Sequence, residues 1–202
     1  MAMFGWTGNN AKHEYELQRK NEMDSIEKAR LEQLNRCIDD IWGWESFLNI
    51  GMSEYRKHYI ETFRDLNNRT DGQVDLVELD KNNCEYFENM SDPKPFENVY
   101  CAEIVSFCDM IKASESYRWG WDVMIWSHGP ETVEFTRIHK VIDEMSRRCQ
   151  LLICMFPFGN CGGDGNITVL YPHHFEIQGF QTDIIGNKDE KNSHVLAWKY
   201  IK

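Results

Sequence analysis

The sequence lacks any apolar run of the roughly 18 residues that a membrane-crossing helix needs, and its opening, MAMFGWTGNNAKHEYELQRK, carries no apolar stretch like a secretory signal. Both absences point to an intracellular protein, with the cytoplasm as the expected compartment. No CxxC pair occurs among the seven cysteines (Cys37, Cys84, Cys101, Cys108, Cys149, Cys154 and Cys161), so zinc-ribbon spacing is missing. Cys101, Cys108, Cys149 and Cys154 fall in or beside apolar runs, the pattern of buried free thiols in a reducing compartment. No spacing of carboxylates suggests a metal cluster. Basic patches are scarce: Arg19-Lys20 and Arg147-Arg148 are the densest, both set among acids, and the net charge is −11. Nucleic-acid binders draw much of their affinity from neutralising phosphates, so this balance argues against a DNA or RNA substrate. Internal repeats and low-complexity segments are missing too.

What is present is one domain's worth of chain, 202 residues of which 42% are hydrophobic, enough for a sizeable core. Its character changes near residue 40. Residues 1–40 form a charged extension in which Leu31, Leu34, Ile38 and Ile41 recur at helical spacing, with a thinner stripe of Leu17, Met23 and Ile26 upstream. Two roles are open to it: a helix whose last turns pack on the domain, or an arm that docks on a protein partner or pairs in self-association.

From residue 41 the pattern alternates. Apolar runs at Phe47–Ile50, Val74–Leu79, Val99–Phe107, Trp121–Trp126 and Leu151–Phe156 read as strands, and residues 54–67, 81–89 and 131–148 read as helices. Strands alternating with helices predict βαβ units and a parallel sheet, and near-continuous apolar strands fit a sheet covered on both faces. The runs Phe180–Ile185 and Val195–Ile201 are joined by a polar link too short for a helix, which predicts a closing antiparallel hairpin. Residues 157–170 carry Gly159, Gly162, Gly163 and Gly165, a loop that lacks the Gly-Lys-Ser/Thr ending of a P-loop and is read as shaping a substrate mouth.

Ligands of open α/β sheets bind beyond the carboxyl ends of strands, where strand order reverses. The residues to examine are therefore Gly51, Met52 and Ser53 after the first run, Glu78, Leu79 and Asp80 at the second, Glu103 in the third, Ser127, His128 and Glu131 after the fourth, and Pro157, Phe158 and Gly159 after the fifth. A glycine lets backbone approach a ligand closely. A carboxylate at the end of the second strand suits the two hydroxyls of a ribose. Among the aromatics near this mouth, Trp121 and Trp126 are read as core and Phe158 as a substrate contact.

Four segments in this order resemble class I S-adenosylmethionine-dependent methyltransferases over residues 44–202. WDVMIWSHGPETV is similar to the family's fourth-strand motif, VELDKNN to its second-strand motif, YPHHFEIQGFQTDIIG to the late segment in which a short helix leads through "GF" into the sixth strand, and HVLAWKYIK to the last strand. The resemblance implies a Rossmann-like, open, mostly parallel seven-stranded sheet with a C-terminal antiparallel hairpin, preceded by an N-terminal helix, and S-adenosylmethionine as cofactor. It implies roles as well. Asn49, Gly51 and Met52 would line the methionine end, Glu78 would hold the ribose, and Leu79 would lie against the adenine. Glu103 and Ile104 would match the third-strand motif beside the adenine amine, and Ser127 and His128 would lie near the sulfonium.

The sequence departs from the family at the first loop, where D/E-x-G-x-G-x-G is common. Here Asn49-Ile50-Gly51-Met52-Ser53 has one glycine, and an amide replaces the acid. Candidate bases are His128, with Glu131 to orient it, and the pair His173-His174, because imidazole titrates near neutral pH. Two classes of function follow: a methyltransferase acting on a small molecule, a glycan or a protein side chain, or a non-catalytic descendant of the fold serving as a binding or structural component of a larger assembly. A nicotinamide-dependent oxidoreductase is disfavoured, since no G-x-G-x-x-G follows the first strand.

Overall fold

The computed structural model describes residues 25, 28–29, 31–39, 43–52, 73–90, 94–114, 120–127, 129–159, 166–186 and 193–201. The expected helix at 54–67, most of residues 1–30, most of the glycine-rich loop and most of the link before the last strand lie outside the described residues, as does His128.

Seven strands form one sheet: β1 (Phe47–Ile50), β2 (Val74–Glu78), β3 (Asn98–Cys101), β4 (Val123–Ser127), β5 (Leu151–Pro157), β6 (Gln181–Ile185) and β7 (His194–Tyr200). Their spatial order is β3-β2-β1-β4-β5-β7-β6. The first five pair in parallel. The last two form the expected antiparallel hairpin, and β7 inserts between β5 and β6, antiparallel to both. Every residue of β1, β2, β4 and β5 is buried, which explains the unbroken apolar runs, because helices cover both faces of a parallel sheet.

The helices are α1 (Lys81–Glu88), α2 (Ile104–Ala113), α3 (Phe135–Ser146) and the short α4 (His173–Glu176), with a 3-10 turn at Pro130–Thr132. Asp80 starts α1, its carboxylate accepting the amides of Asn82 at 2.7 Å and Asn83 at 3.3 Å, as an N-cap does. On α3, Ile138, Val141, Ile142 and Met145 turn one apolar stripe inward. Two cores result. On one face Leu48, Met124 and Leu152 meet Phe107 and Ile111 of α2 and Ile138 and Val141 of α3. On the other Phe47, Val74, Ile125 and Ile153 meet Phe87 of α1 and Leu34 and Ile38 of the helical residues 31–39. Leu31, Leu34 and Ile38 of the apolar stripe in the N-terminal extension are thus seated on the sheet. Trp121 and Trp126 both belong to the first core.

Three sequence readings change. The run Val99–Phe107 is not one strand: β3 ends at Cys101, and Glu103 begins a helix by accepting the Ser106 amide at 3.1 Å. Residues 131–148 are not one helix: Val133 is extended and buried between the 3-10 turn and α3, so packing of one valine divides the segment. Cys101 is exposed at the end of β3 rather than buried, while Cys108 and Cys154 are buried and Cys149 is half-buried. Among the described residues no helix is long and apolar enough to cross a membrane.

Candidate active site

Strand order reverses at β1, which has β2 on one side and β4 on the other. A cavity of about 520 Å³ opens there, beyond the carboxyl ends of these strands. Gly51, Met52, Glu78, Leu79, Glu103, Ile104 and Ser127, all named from the sequence, stand on its wall.

The first loop is built without further glycines. Gly51 has φ +81°, and a Cβ placed on it would come within 2.5 Å of the Ser127 carbonyl oxygen; only glycine meets both conditions without strain. Its amide donates to the Val77 carbonyl at 2.8 Å. Met52 is held at both ends of its peptide unit: its N–H donates to Glu78 Oε2 at 2.6 Å, and its carbonyl accepts Asn83 Nδ2 at 3.3 Å. Side chains from β2 and α1 thus fix the loop. Asn49 does not reach the wall. It is buried in β1 and donates from Nδ2 to the Gly51 carbonyl at 3.2 Å, a bond that the acid common at this position in the resembled family cannot donate.

Glu78 is buried, with Oε2 on the Met52 amide and Oε1 on the Asp80 amide at 2.9 Å. A carboxylate offers about four lone-pair directions, so each oxygen keeps one for a ligand hydroxyl. Leu79, next in the chain, is 67% exposed at the rim. Glu103 is partly committed, since its Oε2 caps α2 through Ser106. On the β4 side the Ser127 hydroxyl is buried and finds no hydrogen-bond partner. A buried hydroxyl in that condition costs stability, and it lies on a residue of the cavity wall.

Of the candidate bases and their orienting acid, the described ones fall elsewhere. His128 lies outside the described residues. Glu131 is buried but off the wall, and its carbonyl accepts the amides of Ile167 at 2.8 Å and Thr168 at 2.9 Å. His173 is exposed on α4, also off the wall, its ring stacked on Tyr171 and 4.1 Å from that of His174. His174 Nδ1 accepts the Tyr171 amide at 3.1 Å. Burial, then the neighbouring His173 and His139, hold its pKa below the ordinary value. Neutral His174 therefore carries its proton on Nε2 and presents a donor there, not a base. Phe158 is half-buried against Tyr171, ring centroids 5.6 Å apart, and is not on the wall.

The sequence reading missed Ile50, Val77, Asn83, Ala102, Gly129, Thr132 and Val133 as wall residues, and took Trp126, near the mouth, for core alone. Gly129 carried a signal, since it precedes Pro130; a Cβ there would run into the Trp126 indole. Among the described residues no group of three His, Cys, Asp or Glu side chains could hold a metal ion.

No protein-family model matches the chain, and no curated protein matches its sequence. Solved structures match its shape. The methyltransferase domain of bacterial CtHen1-C superposes with a TM-score of 0.56 at 12% identity, covering 88% of this chain and all of that one, 100%. Magnesium protoporphyrin IX methyltransferase from Synechocystis, with bound SAM, gives 0.55 at 8% identity, covering 98% and 87%. The DszA carbon methyltransferase gives 0.57 at 8% identity, covering 91% and 55%. The chain has the class I methyltransferase fold. Within that fold β7 is set between β5 and β6, and β6 forms the sheet edge on the side away from the cavity.

Proposed function

We propose that this chain is an S-adenosylmethionine-dependent methyltransferase acting on a small molecule, a glycan or a protein side chain. The observation that carries the reading is one cavity at the strand-order reversal that joins a buried ribose-type acid, Glu78, to a glycine that nothing larger can replace, Gly51, and a buried hydroxyl without a partner, Ser127. These residues fit the cofactor: Glu78 keeps lone pairs for two hydroxyls, exposed Leu79 offers an apolar surface to a base, and Gly51 makes the left-handed turn that packs its backbone against Ser127 at the wall. The solved neighbours crystallised with SAM or SAH, the Synechocystis enzyme and the EvdMO1 N-terminal domain among them, support the same ligand.

When bound, the cofactor supplies an electrophilic methyl carbon on a cationic sulfonium. The chain's contribution is alignment and, where the acceptor needs it, a base. His128, which follows Ser127 in the chain, is the proposed base, with Glu131 as its orienting acid; His173 is kept as a second candidate. Glu78, Leu79, Glu103 and Ile104 are proposed for the nucleoside and Gly51, Met52 and Ser127 for the amino-acid and sulfonium end. Asn49 is proposed to act through the Gly51 carbonyl that it braces.

Calorimetric titration with S-adenosylmethionine and S-adenosylhomocysteine tests the reading. Both ligands are expected to bind, and Glu78→Ala to weaken them by about 1.5–3 kcal/mol, the range for charge-assisted bonds. His128→Ala should slow turnover and spare ligand affinity. A folded wild-type protein that binds neither ligand would overturn the proposal in favour of a binding component that has kept the fold alone.

A further inference from the structure

Two cysteines meet behind the Glu78 end of the cavity. Cys84 lies on the buried side of α1, 2% exposed, and its thiol donates to the Glu78 carbonyl at 3.4 Å. Cys101 ends β3 opposite Glu78 in the parallel register, and the next residue, Ala102, donates its amide to the same Glu78 carbonyl at 3.0 Å. Both cysteines therefore border one backbone carbonyl, that of Glu78. Cys101 is exposed, whereas the other free cysteines among the described residues are buried or half-buried. Their chain neighbours Asn83 and Ala102 both stand on the cavity wall.

We propose that Cys84 and Cys101 form an oxidisable dithiol that a hydroperoxide closes to a disulfide between α1 and the end of β3. Burial, followed by the neighbouring Cys101 side chain and Glu78, pushes the Cys84 thiol up to about 12, so Cys84 stays protonated and does not meet the peroxide first. Exposed Cys101 takes that step: its sulfur attacks the peroxide O–O bond, giving the sulfenic acid and releasing an alcohol or water. Cys84 then attacks the sulfenic sulfur as its proton passes to the departing hydroxyl oxygen, so that the S–S bond forms, the S–O bond breaks and water leaves. Two thiols lose two electrons, and the peroxide gains them.

Closing the bond takes the Cys84 thiol off the Glu78 carbonyl and ties Asn83 to Ala102 through their neighbours. Asn83 holds the Met52 carbonyl, so the bond reaches the first loop. The consequence for ligand affinity rests on the proposed S-adenosylmethionine site; the bond itself does not.

The test treats full-length protein with hydrogen peroxide, blocks free thiols, maps peptides without reduction and titrates S-adenosylhomocysteine. A peptide linking Cys84 to Cys101, reversed by dithiothreitol and missing from Cys101→Ser, is expected, with affinity about tenfold weaker, ~1.4 kcal/mol, in oxidised wild type alone. Cys101 recovered as sulfinic acid, or linked to another cysteine, overturns the dithiol. A Cys84–Cys101 link with unchanged affinity overturns its effect on the cavity. Reduced protein that binds no S-adenosylhomocysteine speaks against the proposed function instead, and peptide mapping still decides the bond.

Discussion

The two ends of strand β4 treat polar groups in opposite ways. At its start, Asp122 is saturated: Oδ2 accepts the amides of Glu45 at 2.7 Å and Ser46 at 3.0 Å and the Ser46 hydroxyl at 3.0 Å, and Oδ1 accepts Gln150 Nε2 at 2.6 Å. One carboxylate thereby fastens the beginnings of β1, β4 and β5. At the strand's other end the Ser127 hydroxyl is buried without a partner, and the Ser127 carbonyl presses on Gly51. Four residues lie between an end whose hydrogen bonds are all made and an end that keeps one unmade. Saturation is what holding a fold requires; a buried polar group left over is what a ligand site retains.

Gly51→Ala breaks the carboxyl end most severely. Alanine meets both a left-handed backbone and a carbonyl at 2.5 Å from its Cβ. The backbone conformation alone costs on the order of 1–3 kcal/mol, and the contact forces β1 and β4 apart. A loss of about 3 kcal/mol in urea unfolding is expected, together with loss of S-adenosylhomocysteine binding. A variant as stable as wild type would show that β4 yields freely there and that the cavity wall is soft.

Asp122→Ala tests the other end, with a smaller effect because part of its network touches solvent and the freed donors rehydrate. About 2 kcal/mol is expected, with no change in ligand affinity. Its pH dependence has a definite sign. Burial works to raise the Asp122 pKa, but the Glu45 and Ser46 amides and the Ser46 and Gln150 side chains outweigh it and hold the carboxyl below its ordinary value. The unfolded state then binds the proton more readily. Asp122 therefore contributes its full stability above the unfolded value of about 3.9 and loses it as pH falls through the lower folded value. The stability gap between wild type and Asp122→Ala, followed by urea melts from neutral pH into acid, should narrow only below that point. A gap independent of pH would mean that the clamp works as a neutral acceptor.

The same division governs what the sequence disclosed. Strands β1, β2, β4 and β5 were legible because burial on both faces leaves unbroken apolar runs such as Leu151–Phe156, whereas partly exposed β3 was run together with the helix after it. The place of β7 between β5 and β6 was not, because strand order is set by long-range pairing that no local pattern carries. Glu103 was read as an interruption of a strand, although its capping partner Ser106 stood three residues on. Glu78, Gly51 and Met52 were legible at the ends of their runs. The bonds that make them a site, from Met52 to Glu78 and to Asn83, span 26 and 31 residues and appear only once the chain is folded. Asn49 shows the limit most clearly. From sequence it is a missing acid; in the structure it is a donor that closes the loop on itself.

The smallest effect separates the two ends most sharply, because its sign differs from that of an ordinary core truncation. Ser127→Ala deletes a buried hydroxyl that makes no hydrogen bond. In the ligand-free protein the deletion removes a desolvation penalty, so stability should hold or rise by up to about 1 kcal/mol. If Ser127 lies against the ligand as proposed, the complex loses a hydrogen bond, and S-adenosylhomocysteine should bind up to about tenfold more weakly. On the proposed placement of Ser127 at the amino-acid end of the ligand, 5′-methylthioadenosine, which lacks that group, should bind both proteins alike. Thermal melts and calorimetry on the same preparations read both quantities. Stability falling with affinity unchanged would make Ser127 a part of the fold like Asp122, and the contrast between the ends of β4 would vanish. Stability held while affinity falls for the homocysteine ligand alone would fix the direction in which the ligand lies, from Glu78 across β1 to β4.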